Sequence, residues 1–396
     1  MKPSDSLRAE CPPGIIAVTG LGMTSSLGLT AVASCAAARA GVTHWAPLEI
    51  EEADVKRLKS VPLKGHAVRG YTDGFSGVGR LLRLADGALG DVLENARLKP
   101  ADTSRTGVFL CVAGDLYARV RSESVQHEEG VTAELAEALE EEAAEARKEA
   151  RAHVGRRLLP QLLMLHGLGV PPGAQDSFTG GAASFASALA KALELLRSRV
   201  VDRCLVGGVD SLVEGAALED VYEMGLVRTP ESAVGLFPGE AAAWVLLERA
   251  DAARARNAAA LAWLGNVAVE REAFHRFSGD VPLGAALLRA VTSCCSGWKP
   301  EEMGLVLANL NGDEWRARDL GLALSEMKET GLPADAPRWY PPASFGEVGA
   351  ATGAVSACMA VRGFARGYAG ASSALVLLLA DDEARGAFLL HDAKAS

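Results

Sequence analysis

Short unbroken apolar runs, bounded by glycine, punctuate the chain. The first is Ile15-Ile16-Ala17-Val18-Thr19-Gly20, which leads through Gly22 and Gly28 into an Ala-rich segment from Thr30 to Ala40. Such a run reads as a buried strand, and the glycines read as the turn by which it enters a helix. Further strand candidates are Gly107 to Val112, Arg203 to Val206, Ala241 to Leu247, Leu261 to Val269, Leu305 to Leu310 and Ala374 to Leu379. Helical periodicity separates most of them, as at Ala182 to Leu196, Leu283 to Cys295 and Gly353 to Gly363. Strands alternating with helices predict a largely parallel sheet covered on both faces.

One stretch is polar nearly all round. Thr132 to Arg157 opens on a candidate N-cap, places acids first and bases last, and carries an apolar stripe of Ala with Leu135 and Leu139. It predicts a surface helix within an insertion at about 116–170, with partner binding as the sharper alternative. The opening run at 15–20 is echoed by Leu261 to Val267, after the charged stretch Glu248 to Arg256. This divides the chain into two α/β halves, 1–255 and 256–396, as an internal duplication would.

Composition narrows the class. With 396 residues, 49% of them apolar, 42 glycines and only 5% aromatics, the chain predicts large cores packed through small side chains. A net charge of −10 lacks the clustered Lys and Arg that a nucleic-acid partner requires. The basic residues from Arg147 to Arg157 are interleaved with Glu149 and His153 and read as a solvated helix face. Seven scattered cysteines show no zinc-ligand or C-x-x-C spacing, so they read as core residues of a reducing compartment. Residues 1–14 lack the charged and apolar regions of a signal peptide, and no apolar run reaches the ~20 residues of a membrane span. The expectation is a soluble, cytoplasmic protein.

Several motifs then fall in one order. Val18-Thr19-Gly20-Leu21-Gly22-Met23-Thr24-Ser25-Ser26-Leu27-Gly28 resembles the V-T-G-x-G-x-x-S-x-x-G opening of β-ketoacyl synthases. Gly207-Gly208-Val209-Asp210 is similar to their G-G-x-[ED], and Gly239-Glu240-Ala241 through Leu247-Glu248 to their G-E-G-A-x-x-L-x-L-E. The resemblance spans residues 15 to about 390. It implies the thiolase fold: two duplicated βαβαβαββ halves in a five-layered α/β/α/β/α body that usually dimerises.

Family members condense acyl units with a cysteine at a helix N-terminus and two histidines. Counting back from Gly207-Gly208 places Ala182, in Gly180-Gly181-Ala182-Ala183-Ser184-Phe185, on the cysteine position. A methyl group cannot attack a thioester. Asn311, in Asn309-Leu310-Asn311-Gly312-Asp313, falls on the histidine of N-x-H-G-T, with Asp319 on the later aspartate. Its amide cannot exchange a proton near neutral pH. Glu347, in Ser344-Phe345-Gly346-Glu347-Val348-Gly349-Ala350-Ala351-Thr352-Gly353, falls on the second histidine, and Pro342 on the lysine. The G-F-G-G-x-N loop expected near Ala380 to Ala387 is absent, and R-D-G-F is reduced to Ala233-Val234-Gly235-Leu236. None of the seven histidines lies beside a glycine turn in the second half.

These substitutions point to a protein that does not perform cysteine-dependent condensation and acts as a binding partner, scaffold or adaptor. As a dimer it would pair with itself or with a ketosynthase-like protein, as a chain-length factor does, or hold an unrelated protein client. Gln or Cys at position 182 would have favoured the chain-length-factor version more than Ala182 does. The alternative is acyl transfer or hydrolysis with Ser184 as nucleophile and Glu347 as general base, Ser177 and Thr179 being further hydroxyls. A condensing enzyme read in another register would need Cys204 or Cys358, neither of which sits at a strand-to-helix elbow. No cofactor or metal is expected. Gly20-Leu21-Gly22 lacks the third glycine of a dinucleotide loop, and Asp313-Glu314 with Asp319, like Asp381-Asp382-Glu383, reads as a solvated loop.

Overall fold

The computed structural model describes residues 15–394 apart from 55, 57, 118–119, 121–153, 155–156, 298–303 and 331–334. The helix anticipated at Thr132 to Arg157, and with it much of the insertion at 116–170, lies outside the described residues. In chain order the strands are β1 (Ile16–Ser25), β2 (Ala46–Asp54), β3 (Lys59–Gly65), β4 (Thr106–Val112), β5 (Gln175–Thr179), β6 (Arg203–Ser211), β7 (Glu240–Arg249), β8 (Ala262–Arg271), β9 (Leu305–Ala308), β10 (Arg338–Trp339), β11 (Ser373–Leu379) and β12 (Ala384–Asp392). The helices that shape the body are α1 (Ala31–Arg39), α2 (Gly77–Asn95), α3 (Ser184–Arg197), α4 (Gly215–Glu223), α5 (Ala285–Cys294), α6 (Glu314–Glu329) and α7 (Thr352–Arg366).

Apart from the β2–β3 hairpin, the strands follow the order β10-β9-β11-β12-β8-β1-β7-β6-β4-β5. The first five in the chain, β5-β4-β6-β7-β1, and the last five, β10-β9-β11-β12-β8, repeat the same order and the same senses. In each set the first three strands are parallel and the last two run antiparallel to their neighbours. The sets join where Ile16 to Val18 lies against Leu264 to Ala262. The sheet is therefore mixed, not largely parallel as the alternation of strands and helices suggested. The reason is that β12 follows β11 through a short turn, and the connection that carries α4 brings β7 back beside β6 from the end where β6 stops, so neither pair is parallel.

Strand alternation splits the side chains into layers. Phe109 and Cys111 of β4 and Ala374, Val376 and Leu378 of β11 point into a central core shared with α3 and α7. Val108, Leu110 and Val112 face α2 in an outer core, and Leu375, Leu377 and Leu379 face α5 and α6 in the other. Helices outside, sheets within and two helices at the centre make the five layers of the thiolase fold. No helix among the described residues is long and apolar enough to cross a membrane.

The first glycine turn lies elsewhere than the pattern suggested. β1 runs on through Gly20 and Gly22 to Ser25, and the turn comes at Ser25 to Gly28. Gly22 is needed for approach, because a Cβ there would lie 2.1 Å from the Ala88 carbonyl oxygen of α2. Two acids of the family-like motifs hold the scaffold together. Glu240 is fully buried and accepts hydrogen bonds from Arg80, Thr72, Ser211 and the Val68 amide. Glu248, equally buried, is held by Thr19, Arg203 and Arg256.

Candidate functional site

β5 ends at Thr179, and Gly180 (φ 134°) and Gly181 (φ 58°) turn the chain sharply into a short 3-10 turn and then α3. Positive φ at two successive residues is what glycine supplies. Ala182 sits in that turn, 3% exposed, and lines a cavity of about 900 Å³. Ser184 is the first residue of α3 and does not line the cavity. Its hydroxyl donates to the Gly181 carbonyl at 2.7 Å, so it is neither an N-cap acceptor nor presented to the cavity.

The other two predicted positions come together in the second half. Asn311 Nδ2 donates to Glu347 Oε2 at 2.6 Å, and Asn311 Oδ1 accepts from the Asp313 amide. The same Glu347 oxygen takes Arg316 Nη1 at 2.5 Å, while Oε1 accepts the Gly349 amide at 3.0 Å. Arg316, one turn into α6 and 4% exposed, reaches on to Asp381 Oδ1 through Nη2 at 2.9 Å. Tyr117 donates to the other Asp381 oxygen at 2.6 Å. Arg276 pairs with both Asp313 and Asp381. The result is a continuous buried network, Asn311, Glu347, Arg316, Asp381 and Tyr117, with Ala182 and four of these five lining the cavity.

The network sets the charges. Burial alone would lower the Arg316 pKa, yet Asp381 and Glu347 hold it well above the ordinary value. Burial would raise Asp381, but Arg316 and Arg276 keep it well below the usual carboxylate range. Tyr117 is pushed well above its ordinary value by burial and by Asp381 and Glu347. Asp210, at the end of β6, is pushed up to about 6 by burial, with Glu347 adding to the rise and backbone amides of Ala350 and Ser211 opposing it. Around these, Glu49, Asp115, Glu214, Asp220, Asp382 and Glu383 also line the cavity, so among the described residues Arg316 is the one lining guanidinium beside nine carboxylates.

Several expectations change. Asp313, Asp319 and Asp381 are not solvated: Asp313 and Asp381 clamp Arg276, and Asp319 binds Arg385 Nε at 2.7 Å, so arginines fill the places a cation would take. Among the described residues no cluster of three or more His, Cys, Asp or Glu could hold a metal. The acidity expected of the cavity comes from its other carboxylates, because Arg316 neutralises Glu347. Cys204 lies in β6 and Cys358 within α7, both fully buried. Burial pushes the thiols of Cys35, Cys111, Cys204 and Cys294 up to about 12 and holds that of Cys358 well above its ordinary value. Arg316, Arg276, Tyr117 and Asp210 were not identified as site residues from sequence. The one signal was a cation, Arg316, in the first turn of a helix, where the dipole disfavours positive charge and carboxylate partners are needed to hold it.

Comparison with known proteins agrees with this body. No curated protein sequence matches the chain. Among solved structures, a type II PKS acyl-carrier protein in complex with its ketosynthase bound to the hexaketide is similar at 16% identity and a TM-score of 0.71, covering 96% of this chain and 100% of that one. The ishigamide ketosynthase/chain length factor is similar at 17% identity and 0.71, covering 96% and 99%. A β-ketoacyl synthase from Burkholderia phymatum STM815 is similar at 15% identity and 0.68, with the same coverage. At such identities these establish the fold. The family model described as β-ketoacyl synthase, N-terminal domain, matches residues 15–253, and the chain belongs to that family.

Proposed function

We propose that this chain is a non-condensing member of the β-ketoacyl synthase family that works by binding, as the partner of a ketosynthase-like protein. One observation carries the reading: Asn311 and Glu347 are consumed by each other and by Arg316, beside a methyl group at position 182. Nothing in that set can attack a thioester or shuttle a proton to an enolate. The anion-binding end of α7 is also taken. Glu347 and Asp210 already accept from the Gly349 and Ala350 amides at the entrance to α7, where a negative intermediate would otherwise be held. The similarity to a ketosynthase/chain length factor structure favours a ketosynthase-like partner over an unrelated client. Against the acyl-transfer alternative stand the Ser184 hydroxyl, committed to Gly181, and the Glu347 carboxylate, committed to Arg316.

Decarboxylation of a malonyl thioester, assayed beside a cysteine-bearing ketosynthase, tests the reading. Neither this chain nor its Ala182→Cys variant should release CO2 above background, since the variant restores a thiol without either histidine. Turnover by the native chain would overturn it.

A further inference from the structure

The entrance to α7 offers two consecutive backbone amides to two carboxylates from different parts of the chain. Gly349 N donates to Glu347 Oε1 at 3.0 Å, and Ala350 N donates to Asp210 Oδ2 at 2.9 Å. Asp210 arrives from β6, and its other oxygen accepts the Ser211 amide at 2.9 Å. Both carboxylates are buried, Asp210 being 5% and Glu347 2% exposed. A Cβ added at Gly349 would lie 2.0 Å from Asp210 Oδ2, so this carboxylate packs directly on the turn.

The two are not equally provided for. Arg316 binds Glu347, and the hydrogen-bond donors to Asp210 among the described residues are backbone amides. Burial does most to raise the Asp210 carboxyl, and among the described residues Glu347 is the charged group that adds to the rise. Arg316 on α6, Tyr117 after β4 and Asp381 between β11 and β12 line the cavity with them, with Asp381 held ionised by two arginines. Burial favours the neutral form of Asp210, which lacks a cation of its own, and a like charge held on the same short turn adds to that preference.

We propose that Asp210 is a proton-operated latch between the two halves: uptake of one proton relieves its repulsion with Glu347 and removes one negative charge from the cavity. This stands on the carboxylate pair and holds whether or not the chain condenses. Its direction follows from the shift. Asp210 is raised from 3.8 to about 6, so its contribution favours the fold at the acid end of that window and is lost as pH rises through about 6.

Infrared titration of the full chain from about pH 7.5 to about pH 4.5 tests it, together with thermal midpoints over the same range. The native chain should show a protonated-carboxyl band that Asp210→Asn lacks, and should gain more stability on acidification than that variant does. Glu347→Gln, which removes the neighbouring charge, should move the band to lower pH, and it carries the test alone if Asp210→Asn does not fold. An Asp210→Asn spectrum that loses no protonated-carboxyl intensity near pH 6, or a band that stays in place in Glu347→Gln, would overturn the proposal.

Discussion

Arg316 connects what would otherwise be isolated charges. Its guanidinium spans Glu347 and Asp381, both under 10% exposed, while its amide is capped by Asp313 Oδ2 at 2.8 Å. Taking charges out of water is costly, and a buried pair recovers that cost only with good geometry and satisfied lone pairs. Removing Arg316 leaves Glu347 without a cation and Asp381 with Arg276 as its remaining guanidinium partner among the described residues. Arg316→Met should therefore destabilise the chain by ~3–5 kcal/mol, read from chemical denaturation. The loss should shrink in acid, since the variant's orphaned carboxylates would then be protonated. Native Asp381 works in the opposite sense to Asp210. Its depressed pKa gives stability that is present above the ordinary carboxylate range and is lost as pH falls through the folded value. A stability profile in which Arg316→Met is as costly in acid as at neutral pH would refute this account of the network.

At the scale of elements, the glycines mark where backbones must touch. Gly208 of β6 lies against the entrance to α7, where a Cβ would come within 2.3 Å of the Ala350 carbonyl oxygen. Gly208→Ala should force β6 and α7 apart at the same turn that holds Glu347 and Asp210. We expect a loss of about 1–3 kcal/mol, as for overpacking, with a drop in Tm; a neutral outcome would mean the layers are looser than they look. Much of this was legible in the chain. Buried strands such as β4 and β11 announced themselves as apolar runs, and the glycine and alanine frame around Glu347 located the entrance to α7. β5 was not legible, because Gln175-Asp176-Ser177-Phe178-Thr179 is a polar strand at the edge of the sheet and carries no apolar run. The network was only half legible. A motif frame reports that Ala182, Asn311 and Glu347 stand in given places, but no local pattern tells that Arg316 and Asp381, 65 residues apart, meet across the site.

For the molecule as a whole, charge decides what can approach. A chain of net charge −10, whose described cavity lining holds nine carboxylates and one guanidinium, sets up a field that repels the phosphates of a coenzyme A thioester. Any weak association with such a ligand should strengthen as salt screens the repulsion, over a Debye length of ~10 Å at 0.1 M; calorimetric titration at low and high salt checks this. Binding that is tight at low salt and weakens with salt would point to a basic entry route instead. The central claim concerns the covalent step, and intact-mass measurement after incubation with an acyl thioester reads it most directly. The account predicts an unmodified mass for the native chain, whose residue 182 carries no thiol and whose Ser184 hydroxyl is turned to Gly181. A stable acyl adduct on Ser184, or on any other residue lining the cavity, would contradict it.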